Sequence, residues 1–65
     1  MKIKYVWYDQ PRVEKVFDTE RDFNTMPYVF KKHVTQEEYD KWHLRNFAER
    51  KERGLVLTYE VVANE

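Results

Sequence analysis

Residues 35–54 read TQEEYDKWHLRNFAERKERG and carry the clearest structural signal in the chain. Thr35 stands three residues before Glu38, the spacing of a capping box, in which the two side chains satisfy backbone N–H groups at the start of a helix. No proline or glycine follows until Gly54, which stands where helices commonly end in a left-handed residue. We therefore expect one helix over residues 36–53, about 27 Å long.

The predicted helix is amphipathic. At about 100° per residue its charged side chains fall on one half and its rings on the other, with His43 near the centre of the apolar arc and Trp42 at one edge. We expect His43 to be a packing residue and Phe47 to lie in the core. Opposite charges recur at i,i+4 spacing, which indicates a solvated face; the pairs are Glu37 with Lys41, Arg45 with Glu49, and Glu49 with Arg53.

Alternating apolar and polar residues at both ends of the chain predict β-strands. The first strand has Ile3, Tyr5 and Trp7 on one face. In the last strand, Leu57, Tyr59 and Val61 share one face. The elements expected in chain order are a strand at 2–9, a turn at 9–12, a strand at 13–18, a helical turn at 19–24, an extended segment at 28–33, the long helix, and a strand at 55–63.

This order predicts a single small α+β domain over residues 1–65. Its sheet should be three- or four-stranded and mainly antiparallel, with the long amphipathic helix packed on one face, in the order β-β-short α-β-α-β. A chain of 65 residues without cysteine must find its stability in side-chain packing. Four Phe, five Tyr and two Trp, spread over every segment, are the candidates for that core.

The composition excludes several classes of function. Twelve basic and twelve acidic residues give a formal net charge of zero, which removes a general electrostatic attraction to nucleic acid or membranes. No apolar run approaches the roughly 18 residues of a membrane-spanning helix. The absence of cysteine excludes thiolate metal sites and cysteine nucleophiles and favours a reducing, cytoplasmic location.

Catalytic and metal-binding motifs are also missing from the sequence. There is no serine, and the single glycine cannot form a glycine-rich phosphate loop. Asp40 and His43 are three residues apart, but a catalytic zinc site usually takes three protein ligands. We therefore expect no enzymatic activity, no cofactor and no metal.

These exclusions favour a small non-enzymatic cytoplasmic protein that docks on another protein, as inhibitors and adaptors do, of the kind that phages and mobile elements encode. Tyrosine and tryptophan, which are enriched at binding hot spots, are abundant here. Pairing of an exposed strand edge with a second copy would give a homodimer. The residues expected at the docking surface, on the open sheet face and the helix edge, are Val6, Tyr8, Trp42, Val56 and Val62.

The alternative is a small nucleic-acid-binding regulator that uses a local basic patch. Acidic residues interleave with the basic ones along the helix, which is unfavourable for contact with phosphates. The alternative therefore requires basic residues to converge in space; they are Lys31, Lys32, Arg45, Arg50, Lys51 and Arg53.

Overall fold

Three strands and three helices make up the part of the chain that the computed structural model describes, residues 1–62. Their order is β1 (Lys2–Trp7), β2 (Lys15–Asp18), α1 (Thr19–Asn24), α2 (Tyr28–Lys31), α3 (Gln36–Glu52) and β3 (Val56–Val62). The strands form one antiparallel sheet in the order β2-β1-β3, and α3 packs on one of its faces. The predicted α+β class is confirmed, in its three-stranded form.

Helix α3 begins where the capping box predicts. The Glu38 backbone N–H donates to Thr35 Oγ1 at 3.1 Å, and the Thr35 hydroxyl donates to Glu38 Oε1 at 3.1 Å. At the other end, Gly54 has φ +79°, and the Leu55 N–H donates to the Arg50 carbonyl at 2.8 Å. The helix ends one residue earlier than expected, because Arg53 forms the C-cap.

The segment at 28–33 differs from the prediction: it contains the helical turn α2 and no strand. Pro27 precedes this turn, and its carbonyl accepts from the N–H groups of Phe30 at 3.0 Å and Lys31 at 3.2 Å. Proline favours the start of a helix because its missing N–H would have no partner there. Six residues of alternation are too few to distinguish an extended segment from one helical turn.

The core lies between α3 and the sheet. Ile3, Phe47 and Val56 are buried at its centre, and the Phe47 ring lies 4.9 Å from the ring of Tyr5 and 6.1 Å from that of Tyr59. A second contact, between the rings of Phe23 and Tyr39 at 5.2 Å, holds α1 against α3. Phe47 is therefore a core residue, as the sequence predicts.

Val56 lies in this core, and its predicted place on the open face is wrong. Its side chain is only 1% exposed. Val6 pairs with Thr58 whereas Trp7 pairs with Val56, so Leu57 is an extra residue in β3. This β-bulge shifts the alternation by one position and turns Val56 toward the face that carries Trp7. The predicted end of the last strand, Ala63, lies outside the described residues.

Candidate protein-docking groove

Apolar side chains remain uncovered where α2 meets α3. Helix α2 has no buried residue, and its Tyr28 and Val29 are 74% and 71% exposed. Trp42, on the neighbouring face of α3, is 48% exposed. A helix of four residues is too short to bury a full apolar stripe, so most of its side chains stay open to solvent.

Between these two helices lies a groove of about 520 Å³. All but one of the residues that line it are apolar or aromatic; they are Met26, Phe30, Val34, Glu38, Tyr39 and Trp42. The exception is Glu38, whose carboxylate accepts a hydrogen bond from the Thr35 hydroxyl at the cap of α3. The volume and lining are those of a site that accepts apolar side chains.

Tyr39 forms the buried wall of this groove. Its hydroxyl donates to Asp22 Oδ2 on α1, and its ring lies 6.3 Å from the ring of Phe30 on α2. Burial, together with the hydrogen bond to Asp22 and the charge of Asp22, raises the pKa of Tyr39 to about 12. The hydroxyl therefore stays protonated well above neutral pH, and its hydrogen bond to Asp22 fixes the groove wall to α1.

His43 packs behind the groove. Its ring lies 4.5 Å from the Tyr39 ring, 4.9 Å from the Trp42 ring and 4.7 Å from the Phe17 ring. Within the described residues its Nε2 atom has no hydrogen-bond partner; it lies 4.0 Å from Asp22 Oδ2. Burial lowers the pKa of His43, so the ring is neutral at pH 7 and acts as a packing residue.

Trp42 also borders a second depression, on the outer face of α3, with a volume of about 360 Å³. Its other lining residues are Glu38, Lys41 and Arg45. Lys41 Nζ lies 3.3 Å from Glu37 Oε1, as the i,i+4 spacing predicts. Arg45 is exposed and forms no ion pair with any residue in the range 1–62. We call the surface of Lys41 and Arg45 the basic ledge.

The other predicted docking residues lie away from the groove. Val6 and Val62 are partly buried on the open sheet face, which the sheet separates from Trp42. Between them, Lys4 Nζ lies 4.0 Å from Glu14 Oε2 and 3.9 Å from Glu60 Oε1. These ion pairs interrupt the apolar surface of that face. Tyr8 is exposed just beyond the end of β1, and its N–H donates to the Leu55 carbonyl at 3.0 Å.

The basic residues of the nucleic-acid alternative do not form one patch. Lys31 donates to the Asn24 carbonyl at 2.9 Å, and Lys32 lies over the Tyr28 ring at 5.5 Å, both before the start of α3. The helix, about 25 Å long, separates them from the cluster at its other end. Arg45 lies in between on the basic ledge, and the distant cluster consists of Arg50, Lys51 and Arg53.

Of the residues that line this groove, Trp42 was predicted from the sequence as a docking residue, whereas Met26, Phe30 and Val34 were not. The available signal was Pro27: reading it as the start of a helix places Phe30 one turn further along, facing α3. Met26 and Val34 flank that helix, and no local pattern marks them as surface residues.

Comparison with protein-family models, with curated proteins and with solved structures finds no match to this chain. Within residues 1–62, no group of three or more His, Cys, Asp or Glu side chains gathers as metal ligands would. No helix in that range is long and apolar enough to cross a bilayer.

Proposed function

We propose that this chain is a small, non-enzymatic interaction protein that docks on another protein through the groove between α2 and α3. The observation that carries the proposal is the apolar groove of about 520 Å³ with the half-exposed Trp42 at its rim. Contiguous exposed apolar surface on a small domain is typical of an interaction site. Such a protein acts by occupying its partner, as an inhibitor or adaptor does.

The composition of the groove supports a protein segment as its occupant. Trp42 is of the residue type most often found at binding hot spots. Met26 adds a flexible, polarisable side chain that adapts to different apolar partners. We propose that an apolar side chain from an amphipathic segment of the partner enters the groove and contacts Trp42.

We propose that this interaction takes place in the cytoplasm, since a chain without cysteine is suited to a reducing compartment.

A second copy of the chain is the alternative occupant of the groove. Light scattering at high protein concentration distinguishes the two. A monomer leaves the groove free for a different protein, whereas a dimer that Trp42→Ala dissociates would show that the groove pairs with itself and would overturn the docking proposal.

Selection from a phage library of random 16-residue peptides tests the proposal. The parent protein is the target, and the Trp42→Ala variant serves for counter-selection. We expect peptides with an apolar anchor that bind the parent and lose most of their affinity for the variant, because the ring forms the rim of the groove. A thermal melt confirms that the variant is folded.

The matched control is Val16→Thr, which replaces an exposed apolar side chain on the open sheet face. Peptide binding to this control should equal binding to the parent. The proposal is wrong if no selected peptide depends on Trp42, or if Val16→Thr weakens binding as much as Trp42→Ala does.

A further inference from the structure

We infer that the segment bound in this groove carries a carboxylate beside its apolar anchor, and that Arg45 binds that carboxylate. The inference rests on the proposed function and adds the chemical class of the partner: an apolar segment that is also acidic. It depends on the basic ledge, a part of the surface that the docking proposal does not use.

The charge of Arg45 is not neutralised by its neighbours. The i,i+4 spacing predicts a pair with Glu49, but Arg45 forms no ion pair with any residue from 1 to 62. Lys41, four residues before it, is paired with Glu37, so its charge is compensated within the chain. A carboxylate from a partner would give Arg45 the ion pair that residues 1–62 do not supply.

Two acidic side chains beside the ledge, Glu37 and Glu38, already have partners. Glu37 lies 3.3 Å from Lys41, and Glu38 accepts the hydroxyl of Thr35 at the helix cap. The ledge therefore keeps a positive charge at Arg45, although the chain as a whole has a formal net charge of zero. Charge complementarity of this kind favours acidic over basic partners and accelerates their association.

The geometry joins the ledge to the groove. Trp42 lines both depressions, and Arg45 is three residues further along the same helix, about 5 to 6 Å away between Cβ atoms. One bound segment therefore reaches both with neighbouring side chains. The guanidinium group presents a planar fork that matches a carboxylate in two hydrogen bonds, which a lysine cannot reproduce.

The test uses the peptides selected on the parent protein, with Arg45→Glu as the variant and Arg53→Glu as the control. Both substitutions change the net charge equally, but Arg53 is the C-cap at the distant end of α3. We expect the selected peptides to be enriched in Asp or Glu close to the anchor. Arg45→Glu should weaken their binding roughly tenfold, Arg53→Glu should leave it unchanged, and added salt should weaken binding to the parent.

A charge-swapped peptide completes the experiment. Replacing its acidic residue with lysine should weaken binding to the parent and restore binding to Arg45→Glu. If Trp42-dependent peptides emerge without acidic enrichment, or if both charge variants bind them equally, the carboxylate inference is wrong while the docking proposal stands. If no peptide depends on Trp42, the docking proposal itself fails.

Discussion

The imidazole of His43 is enclosed by three aromatic rings and faces a carboxylate that another residue already uses. Asp22 Oδ2 accepts the hydroxyl of Tyr39, and His43 Nε2 stays 4.0 Å away from it. Burial is the largest influence on the pKa of His43 and lowers it, and the charge of Arg50 acts in the same direction. Asp22 and Asp40 oppose this shift without reversing it.

The lowered pKa of His43 predicts a pH dependence of stability. Its folded-state pKa lies below the ordinary histidine value of 6.5, so the unfolded chain binds more protons as the pH falls through that value. The free energy of unfolding should therefore decrease as the pH falls from above 7 through 6.5 toward the lower folded-state pKa. Urea unfolding at several pH values measures it, and His43→Gln should flatten the dependence.

The exposed His33 provides the control for this experiment. His33→Gln should keep the pH dependence of the parent, because His33 lies at the surface and outside the ring cluster that encloses His43. If His43→Gln and the parent lose stability equally over this range, burial of His43 is not its source.

At the scale of single elements, α3 forms where local chemistry dictates. Its cap, its charged first turn and its terminal glycine are all encoded within twenty consecutive residues, and the structure confirms the start. Helix α2 and strand β3 are different. Pro27 starts a helical turn in α2, and the bulge at Leu57 shifts the register of β3. Each change affects only a few residues, so a periodicity averaged over a longer segment does not reveal it.

The cap of α3 gives a prediction for this element. Thr35→Ala removes the side-chain acceptor of the Glu38 N–H and should lower the free energy of unfolding by about 1 kcal/mol. Thr35→Ser keeps the hydroxyl and should retain most of the stability. Thermal melts of the three proteins measure the effect; an alanine variant that melts with the parent would contradict the role of the cap.

At the scale of the whole molecule, few side chains hold the fold together. Ile3, Phe47 and Val56 form the central cluster, and the Phe47 ring lies near one ring from each of the three strands. Domains of this size bury a smaller share of their surface than larger domains do, so each core residue carries a large part of the stability. The apolar groove beside α2 adds exposed surface that a partner would cover.

Phe47 therefore provides the most sensitive test of the packing. Phe47→Ala should cost about 3 to 5 kcal/mol, close to the whole stability of a marginal domain. Phe47→Leu is a milder truncation and should lose less stability. It provides the measurement if the alanine variant does not fold. Val16→Ala, at an exposed position, should change stability by no more than about 0.5 kcal/mol. Denaturant unfolding measures all three, and a small effect at Phe47 would place it outside the core.

The sequence by itself determined the α+β class, the position of α3 and the burial of Phe47, because capping and helical periodicity act between residues a few positions apart. Only the tertiary structure decided that Val56 is buried and that Trp42 borders a groove. The burial of Val56 depends on the pairing of β3 with β1, and the groove depends on how α2 packs beside α3. Contacts that form only when separate elements pack together leave no signature in a local pattern.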